Sequence, residues 1–170
     1  MDKISNERIL LLHPAIRLEV QNAINHINKN ILGKGVRMRI TQGFRTFKEQ
    51  DELFAQGRTK PGPKVSNAKG GQSLHNYGLA FDICLLYDDG SGLFKEVSWD
   101  MKRDGDGDGI ADWLEITKYL TSIGFTNGFI TNGKKWDFPH FQKDFGLTWQ
   151  KCFEKYNRKD YISGTIYIKL

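Results

Sequence analysis

Two short segments of this chain bring together side chains that bind transition metals. His75 and Asp82 lie seven residues apart, and Asp137 precedes His140 by three. Catalytic zinc sites use imidazole and carboxylate ligands and keep one position open for water. An acidic side chain beside such a site can orient the water and accept its proton. The residues therefore indicate a zinc site of His75 and Asp82, with His140 as candidate third ligand and Asp137 as candidate general base.

The path of the chain between His75 and Asp82 decides whether both can bind one ion. An odd separation within one regular strand places two side chains on opposite faces, so the chain must bend, and we expect the bend at Gly78. Asp82 lies within the apolar run GLAFDICLLY at 78–87, where an unpaired carboxylate is costly to bury. Pro139 indicates an extended second segment. A single histidine in a loop is more often a structural residue than a metal ligand, so neither segment alone is sufficient to identify a metal site.

A second group of acids has the spacing of a calcium-binding loop. Residues 104–115, DGDGDGIADWLE, match D-x-D-x-D-G-x5-E at every specified position, and such loops bind Ca²⁺ through carboxylates and one backbone carbonyl. The alternative is an Asp/Gly turn that only caps the following helix. Five carboxylates within twelve residues repel one another without a cation, which favours Ca²⁺. The predicted ligands are Asp104, Asp106, Asp108, the Ile110 carbonyl, Asp112 and Glu115.

Hydrophobic periodicity and helix-breaking residues predict the elements that hold these groups. Thr46 and Glu49 have capping-box spacing and predict a helix that ends near Gln56. A polar, Asp/Gly-rich connection follows the second strand up to about residue 109. The sequence predicts helices at 14–31, 46–56, 110–124 and 147–157, strands at 36–44, 78–87 and within 125–142, a long loop at 58–72 and a hairpin strand at 161–170. This pattern predicts one α+β domain over residues 1–170.

Composition and charge limit the classes of function. The 170 residues are 39% hydrophobic and 26% charged, which is typical of a globular protein. The net charge is +5, but the basic residues are scattered, so nucleic acid is not an expected partner. Cys84 and Cys152 are expected to be free thiols, and His13 and His26 to be surface or partly packed residues. Residues 9–12 are too short an apolar run for a signal peptide or membrane span, so we expect synthesis in the cytoplasm without an export signal. We also expect a monomer.

The motifs resemble those of the zinc peptidases of bacterial cell walls. This family includes the L-alanyl-D-glutamate endopeptidases and the D-alanyl-D-alanine carboxypeptidases and dipeptidases. The resemblance extends over roughly residues 36–150 and is most specific in the SxHxxGxAxD pattern followed by DxPHF. The matching stretches are TQGFRT at 41–46, GRTKPG at 57–62, GGQSLHNYGLAFD at 70–82 and DFPHFQ at 137–142.

The resemblance implies a fold and roles for individual residues. The fold is a small antiparallel sheet with flanking helices, of the hedgehog/D-Ala-D-Ala-peptidase type. Asp137 would be the general base, Arg45 would bind a substrate carboxylate or the developing oxyanion, and Ser73 would contact substrate or support the metal site. The segment at 125–133 replaces a Trp-Gly-Gly-type segment of many relatives and is expected to wall the cleft. The implied zinc ligands are His75, Asp82 and His140.

The resemblance predicts hydrolysis of peptidoglycan stem peptides at the L-alanyl-D-glutamate bond. The stretches at 57–62 and 70–78 favour this endopeptidase branch. With no export signal expected, we predict a phage or prophage endolysin that acts at the cell wall. One alternative is a D-alanyl-D-alanine carboxypeptidase of the same family. A second is a non-catalytic metal-binding domain used for recognition, which the presence of Asp137 beside His140 disfavours.

Overall fold

The computed structural model describes residues 1–131 and 134–170. This part combines α-helices with one sheet whose strand pairings are all antiparallel, which confirms the predicted α+β class. The α-helices are α1 (Lys3–Leu10), α2 (Pro14–His26), α3 (Phe47–Ala55), α4 (Asp112–Ser122) and α5 (Trp149–Asn157). The strands are β1 (Val36–Gln42), β2 (Ala80–Asp88), β3 (Phe94–Ser98), β4 (Thr126–Thr131) and β5 (Lys134–Gln142). A π-helical turn, Ile27–Ile31, and a 3₁₀ helix, Leu74–Tyr77, complete the set.

Side-chain caps fix where the helices begin. The Thr46 hydroxyl accepts a hydrogen bond from the Glu49 amide, and the Glu49 carboxylate accepts one from the Thr46 amide, so the predicted capping box is confirmed. His13 caps α2 through a ring nitrogen that accepts from the Ala15 amide. The expectation of a surface or partly packed His13 is therefore wrong: the side chain is fully buried, because its second nitrogen also contacts the Ile168 carbonyl oxygen. His26 is exposed and stacks on Tyr119.

The sheet places the second metal-binding segment beside the first. Its strands run in the order β1-β2-β5-β4, with β3 pairing with β2, and every pairing is antiparallel. The register sets Asp82 of β2 opposite His140 of β5. Residues that are far apart in sequence thus become direct cross-strand neighbours, whose Cβ atoms lie about 5 Å apart.

The core explains why Asp82 faces the cleft. Phe81 and Ile83 point into the main hydrophobic cluster, where α2, α4 and β1 also pack. Because side chains alternate along a strand, Asp82 points to the other face. A second cluster, which includes Leu74, Tyr77 and Cys152, packs α5 against the 3₁₀ helix. The site therefore has packed apolar residues close behind its ligands.

Three expectations about the elements need correction. The polar connection before residue 109 contains β3, whose five residues are mostly exposed and which forms because it pairs with the end of β2. The tail at 161–170 is not a strand: it has one isolated bridge, Tyr161 to Ile168, because its carbonyl at Ile168 binds His13 instead of a neighbouring strand. The helix α1 was not expected, since it lies before the first helix that the sequence predicted, whereas the helix predicted at 14–31 is present as α2 and the π turn.

Two further expectations agree with the structure. Cys84 and Cys152 are both buried and free. Across residues 1–131 and 134–170, none of the helices has both the length and the apolar character that crossing a membrane requires.

Candidate metal centre and cleft

Three predicted ligand atoms converge at one point. The Nε2 atom of His75 lies 3.1 Å from Nδ1 of His140 and 3.2 Å from Oδ1 of Asp82, and the His140 Nδ1 to Asp82 Oδ1 distance is 3.1 Å. Ligands bound tetrahedrally to zinc at about 2.0–2.1 Å lie about 3.3 Å from one another. The spacing of these three atoms therefore fits a zinc ion.

The outer nitrogens of both histidines fix which ring atoms face the centre. Nδ1 of His75 is 2.7 Å from the Gly43 carbonyl oxygen, and Nε2 of His140 is 2.9 Å from Oε1 of Gln142. Each outer nitrogen must donate its proton to these acceptors, so the inner nitrogens present lone pairs. Two lone pairs and a carboxylate oxygen that face one another at about 3 Å repel unless a cation lies between them. This donor set fits a metal ion.

Local turns bring His75 to the position that Asp82 requires. The Ser73 hydroxyl accepts a hydrogen bond from the His75 amide and begins the 3₁₀ helix, which ends at Gly78 with φ of +70°. A Cβ on Gly78 would lie 2.7 Å from the His13 backbone nitrogen, so glycine is required there for space as well as conformation. The expected bend at Gly78 is confirmed. His75 lies in the 3₁₀ helix that follows the long loop.

The charges around the ligands keep Asp82 ionised. Burial alone raises the pKa of Asp82, but when the inner ring nitrogens of His75 and His140 carry protons instead of facing a metal ion, their charge and hydrogen bonds outweigh burial and hold that pKa well below its usual range. A cation bound between the ligands acts in the same direction. Asp137 differs: it is exposed at the cleft surface, yet partial desolvation there, reinforced by the charge of Asp82, raises the pKa of its carboxyl. A carboxylate with a raised pKa is a better proton acceptor. Asp137 also has φ of +58°, a left-handed conformation that is uncommon for a non-glycine residue and is often found at functional sites.

Arg45 lies on the same side of the site as Asp82. Its Nη2 atom is 3.7 Å from Oδ2 of Asp82, and its Nη1 donates to Oε1 of Gln50 at 2.8 Å. Its backbone is tied to the metal-binding segment, because its amide donates to the His75 carbonyl and its carbonyl accepts from the Asn76 side chain. Burial lowers the pKa of Arg45, and nearby carboxylates oppose this effect. Because arginine starts from a pKa above 12, the guanidinium stays charged.

All six residues that the sequence assigns to the peptidase site line one cleft of about 890 Å³. Among the described residues, its walls include 65–68, 72–75, 144 and 146–150. The wall expected at 125–133 includes Asn132 and Gly133, which lie outside the described residues. The six residues are Arg45, Ser73, His75, Asp82, Asp137 and His140.

The acidic loop at 104–115 forms a separate group away from this cleft. One set of three carboxylates, Asp104, Asp106 and Asp108, and a second set, Asp106, Asp112 and Glu115, each have oxygens within 4.8 Å of one another. Asp106 belongs to both sets, so the predicted ligands surround one region. The Ile110 carbonyl stays a prediction as a ligand.

Two buried oxygens distinguish this loop from a simple helix cap. Within the described part of the chain, Oδ1 of Asp112 and Oε2 of Glu115 are buried and have no hydrogen-bond partner. Burial and the neighbouring aspartates raise the pKa of Glu115 to about 7. Buried oxygens of this kind are normally satisfied, and a bound cation would satisfy both.

Sequence reasoning missed two residues that support the site. Gln142 contacts the outer nitrogen of His140, and Gln50 contacts Arg45. Gln142 was open to prediction, because it lies two residues after His140 in an extended segment and thus on the same face. Gln50 was not, because its contacts join the helix to residues 16 and 18 positions further along the chain.

Comparisons with known proteins find relatives that match most of the chain. A family model described as VanY, D-alanyl-D-alanine carboxypeptidase, matches residues 13–136. The chain is 45% identical over 131 residues to the peptidoglycan L-alanyl-D-glutamate endopeptidase CwlK of Bacillus subtilis (strain 168), covering 77% of this chain and 72% of that protein. The crystal structure of the Serratia marcescens L-Ala D-Glu endopeptidase ChiX shares the fold, with a TM-score of 0.55 and 20% identity over 85% of this chain and 90% of that one.

Proposed function

This chain belongs to the VanY family of peptidases, and we propose from this premise that it is a zinc-dependent peptidoglycan peptidase that cleaves the L-alanyl-D-glutamate bond of stem peptides. The observation that carries the choice of bond is the 45% identity to an endopeptidase of that specificity. The chemistry is supported independently by the arrangement of His75, Asp82 and His140 beside Asp137 in one cleft.

The metal would be held by His75, Asp82 and His140. A zinc ion bound there supplies a Lewis acid for the scissile carbonyl and makes water a nucleophile near neutral pH. Asp137 lines the same cleft, and its raised pKa suits it to accept the proton of the attacking water. Asp137 then returns that proton to the departing amine. The low pKa of Asp82 keeps that carboxylate ionised, so Asp82 does not compete with Asp137 for this proton.

Arg45 supplies a positive charge that can bind the free carboxylate of a stem peptide. A γ-linked D-glutamate keeps a free α-carboxylate next to the scissile bond, and the planar guanidinium fork can bind both oxygens of a carboxylate. Arg45 is mostly buried, with 14% of its side chain exposed, so little water competes for this contact. Ser73 also lines the cleft, where its hydroxyl holds the start of the 3₁₀ helix that carries His75.

The loop at 104–115 is the proposed site of a structural calcium ion. Support comes from the two carboxylate sets that share Asp106 and from the buried, unpartnered oxygens of Asp112 and Glu115. Calcium takes six to eight oxygen ligands. The carboxylates of this loop offer enough oxygens for that, whereas the centre in the cleft has only one carboxylate beside its two histidines. The ion would hold the beginning of α4.

Muropeptide analysis tests the proposed bond. Zinc-loaded protein is incubated with purified peptidoglycan, and the products are identified by mass spectrometry. A new amino terminus at D-glutamate supports the proposal. Release of D-alanine alone would instead identify a carboxypeptidase, and tight binding without any cleavage would identify a recognition domain.

The variant Asp137→Asn is the matched control for this assay. It keeps the size of the side chain but removes the base, so zinc content should stay at the parent's level while turnover falls at least ~100-fold, the scale of general-base removal. A fully active variant would remove Asp137 from the mechanism.

The place of action is part of the same proposal. We propose that the enzyme is made in the bacterial cytoplasm and reaches peptidoglycan as a phage or prophage endolysin. Expression of the parent in a bacterial host, with and without a co-expressed holin, tests this role. Lysis that requires both the holin and Asp137 supports it, whereas slow lysis by the enzyme alone argues for another route to the wall.

A further inference from the structure

Gln50 is a fully buried amide whose hydrogen-bonding groups are used on two sides. It lies in α3 and is 1% exposed. Its Oε1 accepts from Nη1 of Arg45 at 2.8 Å, and its Nε2 donates to the Ser66 hydroxyl at 2.9 Å and to the Ala68 carbonyl at 2.8 Å. A primary amide has two N–H donors and one carbonyl acceptor, so each kind of group has a defined partner.

Both sets of partners belong to the cleft, although Gln50 does not line it. Arg45, Ser66 and Ala68 are all lining residues. Gln50 thus joins the cationic group of the site to the cleft wall at 66–68.

The neutrality of Gln50 matters for the charge of Arg45. An arginine side chain has many rotamers, and an acceptor on one arm restricts them. A carboxylate acceptor would do this too, but it would neutralise the guanidinium at close range. An amide acceptor orients one arm and leaves the positive charge for a ligand. The carboxylate of Asp82 lies 3.7 Å from Arg45 and faces the metal centre.

We propose that Gln50 is a positioning residue for substrate recognition: it holds the Arg45 guanidinium and the cleft wall at 66–68 in one arrangement, and so sets the preference of the enzyme for a substrate carboxylate over the corresponding carboxamide. This inference rests on the proposed function, because it deepens the recognition step of that reaction. Its chemical prediction is that stem peptides with D-glutamate are cleaved better than those with D-isoglutamine.

The test compares two substrates that differ in one group. L-Ala-γ-D-Glu-L-Lys and its D-isoglutamine counterpart are assayed with zinc-loaded parent and with Gln50→Leu. We expect the parent to prefer the carboxylate. In Gln50→Leu, kcat/KM for the carboxylate substrate should fall about 10- to 100-fold, mainly through KM, since small misplacements of a binding group have effects of that size. The carboxamide substrate should change less than about threefold, so the preference collapses.

Two further variants separate positioning from stability. Gln50→Glu keeps the size and the acceptor, so it guards against a folding failure in Gln50→Leu, and it should also lose the preference because it neutralises Arg45. Asn28→Leu removes another internal amide, which bonds the Met38 backbone away from the cleft. It should lower the melting temperature and leave the preference intact. An unchanged preference in both Gln50 variants would overturn the inference.

A measurement on the enzyme without substrate tests directly whether Gln50 holds the Arg45 guanidinium in place. The Arg45 Nε–Hε signal is assigned by NMR with Arg45→Lys, and its order parameter is compared in parent and Gln50→Leu. We expect an ordered guanidinium in the parent and a mobile one in the variant. Equal order in both would contradict the proposal. If the parent cleaves neither substrate, the proposed function fails, and this measurement still tests whether Gln50 holds Arg45.

Discussion

The cleft centre and the acidic loop are both candidate metal sites, but they are built in opposite ways. His75 and His140 are each 3% exposed, and Asp82 is paired with His140 across two strands. Most of the loop at 104–115 is exposed, and its aspartates accept hydrogen bonds from backbone amides within the loop, such as those from Gly107 and Gly109 to Asp104. The sheet fixes the first site, whereas short local turns fix the second.

The two sites also differ in charge. The cleft centre has one carboxylate and two imidazoles, with Arg45 nearby, so only one of its ligands is negatively charged, and strand pairing opposes the repulsion among their lone pairs. The loop has five carboxylates and no Lys or Arg within its twelve residues, and burial together with this repulsion raises the pKa of Glu115 to about 7. We therefore expect the cleft geometry to persist without its ion and the loop to depend on its ion.

Removal of a ligand from the cleft should have the largest effect. In His75→Ala or His140→Ala, zinc binding should be lost, and activity should fall by more than ~1000-fold because the carbonyl and the water both lose their activation. Metal analysis and muropeptide release measure the two effects. His26→Ala is the control, since His26 is exposed and stacks on Tyr119. Full zinc content in either cleft variant would contradict the ligand assignment.

Removal of an outer hydrogen bond of the cleft centre should have an intermediate effect. Gln142→Leu leaves the outer nitrogen of His140 without the acceptor that lies 2.9 Å away. Loss of such a partner typically costs 10- to 100-fold in metal affinity or activity. Competition with a chelator measures zinc affinity. Zinc affinity equal to that of the parent would show that strand pairing alone orients His140, and the contrast with the locally built loop would then be sharper.

The difference between the sites also explains what could be predicted from sequence. The ligands, the bend at Gly78 and the capping box at Thr46 follow from local patterns. The contacts of Gln50 and the burial of His13 depend on segments that meet only in the fold, as the contact between His13 and the Ile168 carbonyl shows. β3 was missed for the same reason, because pairing with β2 forms it. The metal identities and the roles of Arg45 and Ser73 stay predictions.

Calcium should stabilise the protein by an amount that depends on the calcium affinity of the loop. For a single loop with Kd of about 10⁻⁵ to 10⁻³ M, 1 mM Ca²⁺ adds about 0.4 to 2.7 kcal/mol to the free energy of unfolding. Thermal unfolding with zinc kept saturating measures this change. In Asp108→Ala the calcium effect should vanish, while zinc content and activity at saturating calcium stay close to the parent's. If calcium does not change the stability of the parent, the loop acts only as a cap of the following helix.

The smallest effect should come from Tyr87, a residue of the sheet that the loop contacts. The Tyr87 hydroxyl donates to Oδ2 of Asp112 at 2.6 Å, and Tyr87 lies on β2, the strand that also carries Asp82. Tyr87→Phe removes one hydrogen bond, which is worth about 0.5 to 1.5 kcal/mol, so calcium affinity should weaken about two- to tenfold. Calorimetric titration with calcium measures this change.

Zinc affinity in Tyr87→Phe decides whether β2 couples the two sites. We expect it to stay within about twofold of the parent's, because net effects of a single hydrogen bond are small and local. Asp82 is held by its own neighbours, since it pairs with Gln42 of β1 on one side and His140 of β5 on the other, and a lost contact at Tyr87 leaves both pairings in place. A matched fall in zinc and calcium affinity would instead mean that the strand moves as one unit. The cleft would then depend on the loop, and the two sites would be parts of one metal-dependent structure.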